Sequence, residues 1–500
     1  MPTPTRRILL IEPPFHRLFK DEYSLERYPL SLGYLAGAVQ AAGGWEVKTY
    51  NADFRPHGEL IRVSYLAGEG YEHFRRNLEE PVAPVWDQVR RVLADVKPDV
   101  AAISTKTQTL ASARMTARLV KEQNPDATVL VGGPHPTILP EKVLECPDFD
   151  VAMIGEGEAT IVELLSAIRA GEDFNDVAGI AFRRRGGRVV RTPPRPLIEN
   201  LDELPFPHAS APQTLIDYDQ YPPGAFRFVF AVRGCPYNCV FCGSRRIWTR
   251  RVRYRSPGNV VAELKSLQKM GLKFVHFDDD TFGVAPSYIR RLCEAMSALR
   301  PRLRWSCELH VKLVRDDLLA AMRRAGCYMV QVGVESGSDE ILRAMRKGFT
   351  IAEAMAACRR ITAHKIWLQT FFMVGFPQET EQTLAETARA MRKIASHRVM
   401  YSIFTPYPGT EAYEFCFQHG LVDERRDASL YYHQNPENCF CLHIAPERFR
   451  QLVQGLERAV DRRNALGRIR EMASLNTLRR LGELSPADAL RKGWRVLRGR

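Results

Sequence analysis

Short apolar runs alternate with stretches of helical periodicity over the first 170 residues. The apolar runs predict buried strands over residues 7–12, 47–51, 100–104, 128–131 and 151–154. The apolar spacing between and after these runs predicts helices over residues 30–42, 86–96, 112–122, 141–145 and 159–170. Alternating strands and helices are typical of a parallel sheet with helices on both faces. We therefore predict a doubly wound, Rossmann-like α/β domain over residues 1–175.

The same alternation resumes after residue 226. Strands are predicted over residues 228–232, 274–277, 305–309, 328–334, 367–374 and 402–405, with helical patterns between most of them. About six strand–helix units are too few for a complete TIM barrel, so we predict a partial (β/α)6 barrel over residues 226–445. A hairpin pattern at 180–192 and a Pro-rich stretch predict a connector over 176–225. Residues 446–500 have helical spacing and predict a small helical C-terminal region.

A cysteine-rich loop follows the predicted strand at 228–232. Cys235, Cys239 and Cys242 form a C-x3-C-x2-C run among turn-forming residues. Cysteine thiolates are the usual ligands of iron–sulfur clusters, and three of them leave one iron of a four-iron cluster open. A zinc knuckle is the alternative, but it requires a second ligand pair, and no C-x2-C or H-x3-H follows. The spacing therefore favours a [4Fe-4S] cluster with an open iron.

The cysteine run, with Phe241 before its last cysteine, resembles the signature of the radical S-adenosylmethionine (SAM) enzymes. This resemblance implies that the open iron binds SAM and that motifs at later strand ends contact it. The acidic triplet after 274–277 matches the loop near the SAM amino group, although a solvated acidic turn is the alternative. Two further positions, Gly375 and Pro406, also suit simple turns. The positions expected to contact SAM are Phe241, Asp278, Asp279, Asp280, Glu335, Ser336, Gly375 and Pro406.

Three loops follow strands of the first predicted domain, where doubly wound sheets bind ligands. Taken singly, each loop is explained by turn chemistry; in order, they resemble the cobalamin-binding domain that precedes many radical SAM cores. The resemblance implies cobalamin contacts at Ser104, Thr105, Thr107, Gly132, Gly133, Pro134, His135, Gly155, Glu156, Gly157 and Glu158. The D-x-H-x-x-G motif that supplies an axial histidine is absent. His16 and His135 are candidates, but the resemblance implies cobalamin bound without a histidine ligand.

The paired domains imply an enzyme that uses SAM and cobalamin to methylate an unactivated carbon of a small-molecule, natural-product or lipid-like substrate. A cobalamin-dependent radical cyclase or rearranging enzyme without methyl transfer is one alternative, and a cobalamin or redox sensor is another. Sulfur insertion is disfavoured because Cys146 is the only cysteine before Cys235. No residue is singled out as catalytic. For Cys439 and Cys441, alternation on a strand is favoured over a redox pair.

Net charge and composition limit the classes of partner and the cellular compartment that we expect for the protein. The net charge is +13, and residues 446–500 contribute fourteen Lys/Arg against six Asp/Glu, so the remainder is only mildly basic and no nucleic-acid partner is expected. The basic C-terminal region is either a solvated face or a peripheral membrane contact. Without a long apolar run or signal-peptide pattern, and with eleven scattered cysteines, we expect a cytoplasmic enzyme. An external electron donor of the flavodoxin or ferredoxin type is expected from the resemblance.

Overall fold

The computed structural model describes residues 6–184, 186–423, 425, 427–435 and 437–472. These residues form two compact units, one of residues 6–305 and 405–437 and the other of residues 306–404 and 438–472. The predicted domain boundaries at 175, 225 and 445 stay a prediction, since the division between the units falls inside the predicted core. No helix of the described residues has the length and apolar character needed to cross a membrane.

The strands are β1 Arg7–Glu12, β2 Glu46–Asn51, β3 Val100–Ser104, β4 Thr128–Gly132, β5 Val151–Met153, β6 Ile180–Arg183, β7 Val189–Arg191, β8 Phe228–Val229, β9 Val232–Arg233, β10 Arg253–Tyr254, β11 Phe274–Phe277, β12 Arg304–Glu308, β13 Cys327–Glu335, β14 Trp367–Val374 and β15 Arg398–Ile403.

The helices are α1 His16–Phe19, α2 Leu30–Ala42, α3 Val63–Leu66, α4 Gly70–Glu79, α5 Pro84–Val96, α6 Leu110–Gln123, α7 Pro134–Ile138, α8 Pro140–Val143, α9 Gly157–Ala170, α10 Ala211–Thr214, α11 Ser244–Trp248, α12 Pro257–Lys269, α13 Pro286–Ser297, α14 Asp316–Arg324, α15 Asp339–Ala344, α16 Ile351–Ala363, α17 Glu381–Lys393, α18 Glu411–Gln418 and α19 Pro446–Met472.

The first unit contains a seven-stranded sheet in the order β2-β1-β3-β4-β5-β6-β7. Strands β1 to β5 pair in parallel, and side chains of β1 alternate between two cores. Leu9 and Ile11 belong to one hydrophobic cluster, whereas Ile8 and Leu10 belong to the other. A strand buried on both faces reads as a continuous apolar run, which is why the sequence pattern identified it. The doubly wound α/β domain is confirmed.

The hairpin that we assigned to the connector extends this sheet. β6 pairs antiparallel with β5, and β7 pairs antiparallel with β6. A turn signal predicts a hairpin but not the strand to which it adds, because edge pairing depends on distant backbone groups. The strand order reverses between β1 and β3, and in doubly wound sheets the carboxyl ends of the strands at such a reversal form the ligand crevice.

The predicted strand at 228–232 is two short strands. β8 pairs in parallel with β11, whereas β9 pairs antiparallel with β10. The backbone N–H groups of Ala231 and Val232 donate to the buried carboxylate of Asp279, at 2.8 and 3.0 Å. Because these amides bind a side chain, the chain leaves the parallel ladder directly before the cysteine loop. Continuous apolar character concealed this break in the sequence.

The second unit is built from successive strand–helix units, as predicted for a partial barrel. β13, β14 and β15 pair in parallel in this order along the chain. Alternate residues of β14 are buried, and capping boxes begin both α16 and α17. β15 begins four residues earlier than predicted, at Arg398. The part of the predicted basic helical C-terminal region after residue 472 lies outside the described residues.

Candidate active site

The cysteine loop begins with a tight backbone passage after β9. Gly234 has φ +103°, and a Cβ at this position would lie 2.0 Å from the Arg251 carbonyl oxygen. Only glycine fits both the left-handed conformation and this approach. The loop then closes a turn in which the N–H of Cys242 donates to the Cys239 carbonyl at 3.2 Å. The local sequence therefore presents its thiols on a constrained loop.

The three thiols are close enough to influence one another. Desolvation is the main cause that raises the pKa of Cys242 to about 11, and charges on Cys239 and Cys235 raise it further. No three His, Cys, Asp or Glu side chains of the described residues converge on a single-ion site. A cluster does not need such convergence, because each thiolate binds a different iron. Since iron binds thiolates, whose negative charges it compensates, the loop fits a cluster with one open iron.

Each carboxylate of the acidic triplet has a partner. Asp278 forms an ion pair with Arg27, and Asp280 accepts a hydrogen bond from the Ser244 hydroxyl at 2.8 Å. Asp279 is buried and holds the bend before the cysteine loop. These partners relieve the repulsion among three adjacent carboxylates, so the triplet is not a solvated turn. Contact of these residues with SAM stays a prediction.

Two SAM candidates of the second unit lie at the end of β13. Glu335 has φ +68°, a strained conformation for a residue with a Cβ, and its carboxylate lies 3.2 Å from Lys347 Nζ. Ser336 is buried, and its hydroxyl lies 3.0 Å from the Thr387 hydroxyl. Strain of this kind clusters at functional sites, which favours a role for Glu335 beyond its ion pair. Phe241 and Pro406 lie in the first unit, with the cysteine loop.

Sequence reasoning missed Glu379, which holds the turn after β14. Gly375 has φ +84°, and its N–H donates to the carboxylate of Glu379. Burial raises the pKa of Glu379 to about 7, although hydrogen bonds from Gly375 and Phe376 lower it. Its second carboxylate oxygen meets no hydrogen-bond partner among the described residues. The sequence offered only one signal for Glu379, an acidic residue four positions after a glycine turn, and this signal is weak.

The loops after β3 and β4 are joined to each other. Ser104 pairs with Gly132 at the ends of the two strands, and the N–H of His135 donates to the Thr105 carbonyl at 3.2 Å. Gly133 has φ +109°, and a Cβ there would lie 2.8 Å from that carbonyl oxygen. The glycine therefore permits a close approach to the Thr105 backbone, and its contact with cobalamin stays a prediction. Pro134 is exposed and begins α7.

These loops carry two buried polar atoms without partners in the described part of the chain. They are the Thr105 hydroxyl and Nε2 of His135, whose Nδ1 lies 3.0 Å from the Thr107 hydroxyl. Burial lowers the pKa of His135 to about 4, so the ring is neutral at physiological pH. Unpartnered buried polar atoms suit a polar ligand, and the loops thus fit cobalamin. His16, the other candidate ligand to cobalt, has a partner within the chain: its Nδ1 lies 2.9 Å from the Asp53 carboxylate.

The two acids of the loop after β5 have partners within the chain. Glu156 and Glu158 are both buried in ion pairs with arginines, and their contact with cobalamin stays a prediction. Glu156 lies 2.6 Å from Arg233 and 2.7 Å from Arg253, and Glu158 lies 2.5 Å from Arg233. Burial alone would raise the pKa of Glu156, yet Arg253 and Arg233 outweigh it and lower that pKa. Both acids therefore serve the junction between this loop and β9.

The other two loop residues have backbone roles. Gly155 has φ +80° with open space around its missing Cβ, and a Cβ on Gly157 would lie 3.0 Å from Leu35. A second junction lies nearby, where Ile138 at the end of α7 fills the space beside Gly409. α7 also contacts α11, which directly follows the cysteine loop. The predicted cobalamin loops and the cysteine loop are thus neighbours within one unit.

Comparisons with known proteins agree with this arrangement. A B12 binding domain model matches residues 19–165, and a Radical SAM superfamily model matches residues 229–391. An uncharacterised methyltransferase of Pyrococcus horikoshii is 30% identical over 422 residues, which cover 83% of this chain and 84% of that protein. The chain belongs to the cobalamin-binding radical SAM enzymes. A [4Fe-4S] cluster, SAM and cobalamin are the cofactors of this enzyme.

Two further proteins are similar to this cobalamin-binding radical SAM enzyme. The anaerobic magnesium-protoporphyrin IX monomethyl ester cyclase of Rubrivivax gelatinosus is 28% identical over 398 residues, covering 76% of this chain and 68% of that protein. The solved structure of the radical SAM methyltransferase TsrM from Kitasatospora setae has a TM-score of 0.68 at 18% identity. The match covers 91% of this chain and 89% of TsrM, and it shows that the two share a fold.

Proposed function

We propose that this radical SAM enzyme transfers a methyl group to an unactivated carbon of a small organic substrate. The observation that carries the proposal is the shared unit: the ion pairs of Arg233 join the start of the cysteine loop to the loop after β5, in the same sheet whose loops after β3 and β4 fit cobalamin. When bound, the cluster and SAM supply radical chemistry, and cobalamin supplies a carrier for the methyl group. A relative named as a methyltransferase aligns over most of the chain, which supports the same assignment.

The chain's own residues hold and shield these groups. Cys235, Cys239 and Cys242 are the proposed cluster ligands, and the Arg233 ion pairs orient the loop that carries them. Neutral His135 and the Thr105 hydroxyl offer hydrogen bonds to a polar cofactor from a buried edge. The turn at Gly375 and the strained Glu335 are the proposed SAM contacts of the second unit. Rigid, buried support of this kind excludes water from reactive species.

Cyclisation or rearrangement without methyl transfer is the second candidate, because three relatives are named as cyclases. A cobalamin or redox sensor is the third. We also propose a small-molecule substrate, an external flavodoxin- or ferredoxin-type electron donor and a cytoplasmic location. The proposed membrane contact of the C-terminal region rests largely on residues outside those that the structure describes.

One anaerobic assay separates these candidates. The reconstituted enzyme receives reductant, cobalamin, SAM with a deuterated methyl group and a small-molecule extract, and the products are identified by mass spectrometry. Methyl transfer predicts S-adenosylhomocysteine, 5′-deoxyadenosine and a deuterated methyl product together. 5′-Deoxyadenosine without S-adenosylhomocysteine would favour the cyclase. If neither SAM product forms while a Cys239→Ala control gives the same background, the enzyme assignment is wrong.

A further inference from the structure

Two cysteines of the second unit lie together on a segment without regular secondary structure. Residues 438–441 form neither helix nor strand, so the alternation on a strand that we favoured does not describe them. Cys439 is half-buried and Cys441 is buried, and both are present as thiols. Phe440 between them is buried and packs edge-to-face on Phe404, with ring centroids 6.1 Å apart. This aromatic contact anchors the segment that carries the thiols.

The two thiols stand two residues apart in the chain, and the Cys439 thiol lies 3.9 Å from the Ile444 carbonyl oxygen. A hydrogen bond with the Cys441 side chain is the main cause that lowers the pKa of Cys439. Burial opposes the shift, whereas the backbone N–H of Cys441 and the charge of Arg450 support it. Reactive cysteines have this setting, because the thiolate is the nucleophile and partial exposure admits a reagent. A second thiol within hydrogen-bond distance is placed to resolve any adduct.

We propose that Cys439 and Cys441 form a redox-active dithiol that low-molecular-weight aliphatic disulfides oxidise to an intrachain disulfide. In the first step, the Cys439 thiolate attacks one sulfur of the reagent, the reagent's S–S bond breaks, and one thiol leaves after taking up a proton. In the second step, the sulfur of Cys441 loses its proton and attacks Cys439, and the second reagent thiol leaves. Two electrons thus pass from the dithiol to the reagent, which is reduced to two thiols.

The segment is tied to the turn after β14. The N–H of Leu442 donates to the carbonyl of Pro377 at 2.9 Å, and Pro377 lies between Gly375 and Glu379. A disulfide between residues two apart closes a small ring and imposes its own geometry on the backbone of 439–441. The Leu442–Pro377 hydrogen bond directly follows this ring. Formation of the disulfide therefore changes the backbone next to the turn that is proposed to contact SAM. This part of the inference rests on the proposed function.

The test uses the cluster-loaded enzyme under anaerobic conditions. It is equilibrated in buffers of reduced and oxidised glutathione, alkylated with N-ethylmaleimide, digested and mapped by mass spectrometry. We expect the peptide with Cys439 and Cys441 to lose two hydrogen masses as the oxidised fraction rises. Cys146 serves as the internal control. Burial raises its pKa, so this thiol should resist oxidation and be found alkylated at every glutathione ratio. Full alkylation of Cys439 and Cys441 at every glutathione ratio would overturn the proposal.

Two variants test the order of the steps. Cys441→Ser should accumulate glutathione on Cys439, whereas Cys439→Ser should react at Cys441 at least about tenfold more slowly, since the more exposed of the two thiols is lost. Equal rates at both positions would contradict the assigned roles. Hydrogen exchange at the Leu442 amide, compared between reduced and oxidised wild-type enzyme, tests the link to the turn. Unchanged exchange would remove that link and leave both the dithiol and the methyltransferase assignment standing.

Discussion

The guanidinium of Arg233 lies 2.5 Å from the carboxylate of Glu158, in a pair that is almost completely excluded from solvent. Arg233 stands two residues before Cys235, and Glu158 stands in the loop after β5 of the cobalamin-type domain. Burial would lower the pKa of Arg233, but the charges of Glu158 and Glu156 raise it, so the arginine stays charged. Charge-assisted hydrogen bonds from one guanidinium to two separate carboxylates fix direction as well as distance. It therefore sets the orientation of the loop that is proposed to hold the cluster.

Arg233→Met should destabilise the protein strongly. It removes the ion pairs of two buried carboxylates, Glu156 and Glu158, and Glu156 keeps only its pair with Arg253. Breaking one side of a buried ion pair costs about 3–5 kcal/mol, so we expect a loss of this order in the free energy of unfolding. Anaerobic urea denaturation measures it. Arg251→Met is the matched control, since its pair with Glu199 is exposed and should contribute less than about 1 kcal/mol. Similar losses in both variants would contradict the structural role of Arg233.

Cys239→Ala should lose the cluster and SAM cleavage together. Two remaining thiolates leave a second iron without a protein ligand, so we expect iron content and the absorbance near 400 nm to fall by at least about half. Anaerobic reconstitution followed by iron and sulfide analysis checks this. Cys146→Ala removes a thiol outside the loop and should keep full iron content. A Cys239→Ala protein with normal iron and SAM cleavage would remove Cys239 from the ligand set.

Glu379 should make stability depend on pH in a defined window. Its pKa is about 7 in the folded protein against 4.5 as the ordinary value. The protonated form is thus favoured by folding, and this contribution is complete below pH 4.5 and lost as the pH rises to about 7. The loss is roughly 3 kcal/mol. Glu379→Gln should gain relative stability over this window, as measured by urea denaturation from pH 4.5 to 8.

Glu381→Gln is the control for that series. Glu381 is exposed, and its hydrogen bond with Arg448 lowers its pKa, so its effect should not follow the same rise. A difference between Glu379→Gln and wild type that stays constant from pH 4.5 to 8 would show that Glu379 is already ionised. The turn at Gly375 would then need another source of support.

His135→Ala should weaken cobalamin binding. The neutral ring offers one buried nitrogen to a ligand, and loss of a buried hydrogen bond of this kind costs about 1–3 kcal/mol, or roughly fivefold to a hundredfold in affinity. Equilibrium dialysis with the cluster-loaded enzyme measures the change. His73→Ala, which removes an exposed histidine of α4, should bind as wild type.

The same variant tests the absence of a histidine ligand to cobalt. If cobalamin binds without one, as the missing D-x-H-x-x-G motif implies, the electron paramagnetic resonance spectrum of the cobalt(II) form has no nitrogen coupling from the protein. The spectrum should then be the same for wild type and His135→Ala. Nitrogen coupling that disappears in the variant would identify His135 as the ligand.

The sequence by itself determined the elements and the chemistry of the cysteine loop. The bounds of β1, α2, β11 and β14 match the prediction, because continuous apolar runs and regular apolar spacing are local properties. The iron–sulfur cluster also followed from a local motif, since three thiolates at this spacing need no distant residue to bind a cluster, whereas SAM and cobalamin followed from the family resemblance. What local sequence could not contain was the choice of partners for buried polar groups.

Tertiary structure decided those partners. The sequence could not show that arginines more than seventy residues away take up the carboxylates of Glu156 and Glu158. Asp279 likewise divides one apolar run into two strands, and Glu379 supports a turn that looked self-sufficient. Burying a charge is unfavourable unless a partner compensates it, and only the folded chain brings that partner within 3 Å. The sequence therefore indicated which groups do the chemistry, and the fold determined which groups hold them in place.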